Sequence, residues 1–201
     1  MRDLVLLVPD KNTEATIRGA LGRHQALGIR QVDFQILVEQ GRDGGVRRRG
    51  AQVLSVLRGQ YSHAAIVMDY EGSGADVGRP ELEAQLDNAL SGSWGSRAKA
   101  VVIEPEVDAW MWGAEVHLRS TMNWEFDQGI RAWLETQAFA FGDNGKPVRP
   151  KEALEAAFRR AKIPRSSARY EHVAQRISLA NCTDPAFLRL RTALVNWFAA
   201  T

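Results

Sequence analysis

Ala64-Ala65-Ile66-Val67-Met68-Asp69-Tyr70-Glu71-Gly72-Ser73-Gly74 is the stretch that decides the fold. Five apolar residues in a row, too few for a helix and without alternation, fit a strand buried on both faces. Gly72-Ser73-Gly74 then forms a loop. Working outward, Leu4-Val5-Leu6-Leu7-Val8 is a second run of this kind, broken by Pro9-Asp10. Ala100-Val101-Val102-Ile103 is a third, ended by Glu104-Pro105. Val32 to Val38 alternates apolar and polar residues, another strand signal. Helical spacing fills the gaps. Asn12 and Thr13 offer caps to a stripe of Ile17, Ala20, Leu21 and His24, while Val53, Leu54, Val56 and Leu57 suggest a short helix. Pro80 suits a first helical position ahead of Leu82, Leu86, Ala89 and Leu90. Strand and helix in strict alternation predict an α/β fold, a parallel sheet flanked by helices. After Pro105 the pattern predicts helices near 107–116, 127–137, 151–162, 168–178 and 184–198. Residues 1–105 are therefore expected to form an α/β core, and 106–201 a mostly helical extension packed on it as one compact unit.

The chain has 201 residues, 45% of them hydrophobic and 25% charged, which excludes a disordered or fibrous protein. No apolar run approaches the ~20 residues of a membrane span, so no membrane partner is expected. Met1-Arg2-Asp3 lacks an apolar leader, and the single Cys182 has no internal disulfide partner. A cytoplasmic location is expected. In that compartment the glycosylation sequon Asn181-Cys182-Thr183 is a chance match. The net charge of +2 hides an asymmetry. Residues 64–115 hold ten acids against three bases, a net −7, and residues 146–176 hold nine bases against three acids, a net +6.

All four expected strands have acids at or just past their carboxyl ends: Asp10, Glu39, Asp69 with Glu71, and Glu104 with Glu106 and Asp108. Ligands of open parallel sheets bind at those ends. Gathered carboxylates repel, so a cation or protons must offset the cost. Oxygen donors of this kind suit Mg²⁺ or Mn²⁺. For any single acid, the plainer reading is a solvated loop end. In extended backbone, Asp69 and Glu71 would point to the same side. Gly72 to Gly78 does not space its glycines as a dinucleotide fingerprint does, and no phosphate-binding G-x-x-x-x-G-K-[ST] loop occurs. His24, His63, His117 and His172 lack metal-ligand spacing. Arg47-Arg48-Arg49 is expected in a solvated loop, where it could touch phosphate. Lys146, Arg149, Lys151, Arg159 and Arg160 belong to the basic stretch, whose apolar residues predict an amphipathic helix with a basic outer face for nucleic acid or an acidic partner. Trp110, Trp112, Trp124 and Trp133 fit a packed seam better than a base-stacking surface.

An apolar first strand, Asn12-Thr13-Glu14 leading into a helix, and a later strand ending in Asp69-Tyr70-Glu71-Gly72 together resemble the Toprim fold of topoisomerases, primases and overcoming-lysogenization-defect nucleases. Glu104-Pro105-Glu106-Val107-Asp108-Ala109-Trp110 resembles a P-E-x-[ED]-x-W segment of Toprim-like proteins in phage-defence loci. Three tail segments resemble a Toprim-like family of unknown function: Lys146-Pro147 with Pro150-Lys151-Glu152-Ala153, Tyr170 to Ile177, and Cys182-x-Asp184-x-x-Phe187. Nearly the full length is similar to small components of bacterial methylation-associated defence systems. The resemblance implies that Asp69 and Glu71 are the metal pair, that Glu106 and Asp108 form the later acidic segment, and that Mg²⁺ or Mn²⁺ is the cofactor. The family's glutamate directly after the first strand is replaced by Pro9-Asp10. That departure makes a non-catalytic or weakly catalytic interaction module, working with other defence-system proteins, the expected function. The alternative is a metal-dependent nuclease acting on DNA or RNA, with Asp10, Asp69 and Glu71 as its catalytic set.

Overall fold

The computed structural model describes residues 1–113, 115–179 and 182–200; Asn181 of the sequon lies outside them. The first half alternates β1 (Arg2–Val8), α1 (Lys11–Leu21), the short α2 (His24–Leu27), β2 (Phe34–Val38), α3 (Arg42–Ser55), β3 (Tyr61–Asp69), α4 (Arg79–Trp94) and β4 (Ala98–Ile103). Among the described residues six helices follow: α5 (Asp108–Met111), α6 (Glu115–Met122), α7 (Ile130–Thr136), α8 (Pro150–Arg160), α9 (Ser167–Ala174) and α10 (Pro185–Phe198). The strands form one parallel sheet in the order β2-β1-β3-β4. Among the described residues, no helix is long and apolar enough to cross a membrane.

The continuous apolar runs work because the pleat sends successive side chains to opposite faces, and both faces are covered. Leu4, Leu6 and Val8 of β1 join Ala65, Val67, Val101 and Ile103 on one face, packed with Ile17 and Leu21 of α1 and with Leu154, Tyr170, Leu190 and Leu194 of the later helices. Val5 and Leu7 join Ile66, Met68 and Val102 on the other, under Val46 and Leu54 of α3 and Leu82, Leu86 and Trp94 of α4. The first of these cores draws on residues from both 1–105 and 106–201.

One expectation needs correction. Gly41 to Gly45, with Arg47-Arg48-Arg49, read as loop; the chain is helical from Arg42 onward. Glycine costs a helix about 1 kcal/mol relative to alanine. Here close packing requires it: a Cβ on Gly45 would lie 3.0 Å from Cγ of Glu39. Burial of Val46 and Leu54 against the sheet offsets the poor local propensity.

β4 is an edge strand, and side chains close its open side. Ala100 N–H donates to Asp87 Oδ1 (2.7 Å) and Val102 N–H to Glu83 Oε1 (3.1 Å), both acids standing on α4. Arg189 of α10 donates Nε to the Ala100 carbonyl and a second nitrogen to Asp87, each at 2.7 Å. Three charged side chains thus fill the place of a fifth strand's backbone. An unpaired edge would otherwise invite pairing with another chain.

Candidate functional site

β1 lies between β2 and β3, so the connection from β1 to β2 and the crossover from β2 to β3 run in opposite directions along the sheet. In doubly wound sheets the crevice outside the carboxyl ends of such strands is the ligand site. Asp10 follows β1 at this point and Asp69 ends β3. Asp43, in the first turn of α3, and Asp108, at the start of α5, complete the floor. The acids are linked through backbone. Asp43 Oδ1 accepts from the Asp69 N–H (2.8 Å), and Asp69 Oδ1 accepts from the Val107 N–H (2.9 Å). Asp10 Oδ1 caps α1, accepting from the N–H groups of Asn12 (2.9 Å) and Thr13 (2.8 Å). Asp108 Oδ1 accepts from the Tyr170 hydroxyl (2.6 Å) and from Arg165 (2.9 Å). Glu106 Oε1 accepts from the Lys151 N–H at 3.2 Å, with Lys151 Nζ 3.8 Å from its other oxygen.

The cluster has high proton affinity. Burial raises the Asp69 carboxyl well above the usual carboxylate range, and Asp43 and Asp10 push it further, against the Val107 hydrogen bond. Burial, with Asp10 adding to it, lifts Asp43 to about 6. Burial, then Asp108 and Glu71, lifts Glu106 to about 7 against Lys151. Asp108 is also raised by burial, although Arg165 and Tyr170 oppose it. Tyr170 is held protonated by its own burial and by Asp108.

The expected site residues divide. Asp10, Asp69, Glu106 and Asp108 come together around the crevice. Glu71 does not share the buried position of Asp69: it is exposed, in a turn where Ser73 N–H donates to the Tyr70 carbonyl (3.2 Å). The same-side expectation assumed extended backbone, and the strand ends at Asp69. Glu71 still stands close enough to Glu106 to raise it. Glu39 is held by Arg49, and Glu104 faces Arg79 at 3.4 Å. Asp43 escaped because Gly41 to Gly45 read as loop; its signal is an acid in a helix's first turn.

Several of the expected cations are engaged within the fold while staying exposed. Arg47 donates to the Gly74 carbonyl, Arg48 is exposed, and Arg49 binds Glu39. Lys146 pairs with Asp184 at 3.4 Å, Arg149 with Glu152 at 2.8 Å, and Arg159 with Glu155 at 3.9 Å. Arg160 lies 4.3 Å from the Phe126 ring centroid and 6.0 Å from that of Trp133. Lys151 and Arg165 come from the basic stretch to the acids of the crevice. The two charged stretches of the sequence therefore partly neutralise one another inside the fold.

A divalent cation needs several carboxylate oxygens converging at about 2.0–2.6 Å. In this arrangement Asp10, Asp69, Glu106 and Asp108 each have an oxygen bonded to a protein donor. Among the described residues, no three Asp, Glu, His or Cys side chains form a group that could hold a metal ion. No family model, curated protein or solved structure matches the chain.

Proposed function

We propose that the chain is a Toprim-like protein of bacterial antiphage defence that works in the cytoplasm as an interaction module with other defence-system subunits, with little or no catalysis of its own. The observation that carries this reading is the engagement of the crevice acids by the protein itself: Asp10 by the α1 terminus, Asp69 by Val107, Glu106 by Lys151, and Asp108 by Arg165 and Tyr170. The Toprim-like assignment is supported by the parallel sheet with acids after β1 and at the end of β3, together with the Glu104 to Trp110 segment.

A second reading, a Mg²⁺- or Mn²⁺-dependent nuclease for DNA or RNA, is favoured by one specific observation. Asp10, Asp43, Asp69 and Asp108 come from separate parts of the chain to one switch-point crevice, where burial and neighbouring acids raise the proton affinity of Asp43, Asp69 and Asp108. Perturbed carboxyl groups in a crevice are characteristic of functional sites.

One experiment separates the readings. The purified chain and Asp69→Ala are incubated with Mn²⁺ or Mg²⁺ and single- and double-stranded DNA and RNA, and the chain is co-expressed with the other products of its own locus. The module reading expects no cleavage above the Asp69→Ala background and a stoichiometric complex with a locus partner. Metal-dependent cleavage abolished in Asp69→Ala establishes the nuclease reading instead. Absence of any complex sinks the module.

A further inference from the structure

His63 stands on β3, at the opposite end of the strand from Asp69, and meets two aromatic rings of the last turn of α10. The Trp197 ring stacks on it with centroids 4.8 Å apart and planes 27° from parallel, and Phe198 meets it edge-on at 5.0 Å. The same turn is tied to the segment ahead of β2: the Arg30 N–H donates to the Phe198 carbonyl (2.9 Å), and Ile29 bridges Ala199. Nδ1 of His63 is buried without a hydrogen-bond partner. The neutral ring can keep its proton on Nε2; the cation must also carry one on Nδ1, a buried N–H with no acceptor. The surrounding charges do not repair this. Asp3 of β1 is the facing acid, and Arg30 already engages both of its oxygens, at 2.7 and 2.8 Å. Arg97, in the turn before β4, donates to the neighbouring Ser62 carbonyl at 2.9 Å. On α10, Arg189 binds Asp87 and the Ala100 carbonyl, and Arg191 lies 3.4 Å from the Leu27 carbonyl; Lys99 of β4 pairs with Asp87. The Trp197 face attracts a cation. Burial first, then Arg97 and Arg30, outweigh that and Asp3, and hold the His63 imidazole below its ordinary range.

We propose that His63 is a proton-sensitive latch for the last turn of α10: the neutral ring holds Trp197 and Phe198 on the sheet, and the imidazolium releases them. Undocking lets water reach the ring and gives its second N–H an acceptor, so the released turn binds a proton more tightly than the docked one. Docking is therefore complete above the ordinary value of 6.5 and is lost as pH falls through the lowered one. Protonation of Asp43 and Glu106 acts in the opposite sense, because their raised affinities strengthen the fold as pH falls. The acidic crevice therefore cannot mimic the release, and the latch is independent of either reading of that crevice.

Nuclear magnetic resonance of the full chain between pH 8 and pH 4.5 tests this with two readouts. One is the side-chain titration of His63. The other is the exchange protection factor of the Arg30 amide, whose bond to the Phe198 carbonyl spans the latch. His63 is expected to titrate below 6.5, and the Arg30 protection factor to fall severalfold through the same midpoint. His63→Phe keeps a flat ring against Trp197 and carries no charge at any pH, so its Arg30 amide should stay protected down to pH 4.5. Arg97→Gln removes a neighbouring cation and should move both midpoints upward together. A His63 midpoint at or above 6.5, protection that is constant or is lost at a different midpoint, or an equal loss in His63→Phe overturns the proposal. The first two outcomes are read on the unmodified chain, so they decide the matter whether or not a variant folds well.

Discussion

Glu106→Gln should stabilise the protein at pH 8 and leave it unchanged at pH 4.5. The side chain is buried, and its carboxyl is lifted from an ordinary 4.5 to about 7 by burial and then by Asp108. When folded affinity for a proton exceeds unfolded affinity, stability is complete below the unfolded value and is lost as pH rises to the folded one. The window is therefore pH 4.5 to 7. Each tenfold change in proton affinity is worth about 1.4 kcal/mol, so the cost above pH 7 is at most about 3.5 kcal/mol. Screening at the crevice mouth and the lost attraction of Lys151, 3.8 Å away, reduce the expected gain to about 1–2 kcal/mol. Glutamine keeps the Oε1 acceptor for the Lys151 N–H and carries no charge at any pH. For a chain of this length, that gain is a rise of about 3–6 °C in melting temperature. Calorimetric melts at pH 8 and pH 4.5, at matched ionic strength, read it directly. An equal shift at both pH values, or a less stable variant at pH 8, would refute the electrostatic account of the crevice.

Asp43→Asn should show the same behaviour in a lower window, between pH 3.8 and about 6, with a gain of about 1–2 kcal/mol at pH 8 after screening; melts across pH 4–8 check it. Tyr170→Phe removes a donor to Asp108 and an acceptor for Arg165. A loss of about 1.5–3 kcal/mol is expected in urea unfolding at neutral pH; an unchanged midpoint would show that the network is not holding α9. Gly19→Ala places a Cβ 2.7 Å from the Glu171 carbonyl oxygen and 2.9 Å from Ala174 Cβ, forcing α1 and α9 apart. About 1–3 kcal/mol should be lost, again by urea midpoint, and a neutral result would mean that the helices slide at no cost. Asp87→Ala unpins Ala100 and Arg189 together and should make the protein self-associate at neutral pH, read by light scattering; a monodisperse, fully soluble variant contradicts the edge-closing role of Asp87.

The strands were legible because burial on both faces demands uninterrupted apolar runs, and Leu4 to Val8 or Ala64 to Met68 admit few other readings. α3 was not, because Gly44-Gly45 and three consecutive arginines carry a loop's local signal; only contact with Glu39 and the sheet explains the helix. Asp10, Asp69, Glu106 and Asp108 could be picked out because they follow strands, and topology does the rest. Glu71 was misplaced by extending a two-residue period past the point where the strand stops. The basic stretch hid part of its role for a different reason. Lys151 and Arg165 find their acids 45 and 57 residues away, a separation to which composition is blind.

The closure of β4 also bears on the order in which the molecule can be finished. Asp87 and Glu83 are made before the strand they cap, but Arg189 lies in the last helix. A nascent chain that has completed all four strands still shows a bare carbonyl at Ala100 and one apolar face covered only in part, by α1. The hydrogen bonds along the β4 edge are complete only when α10 docks, so the finish of this edge depends on a helix 89 residues further along the chain.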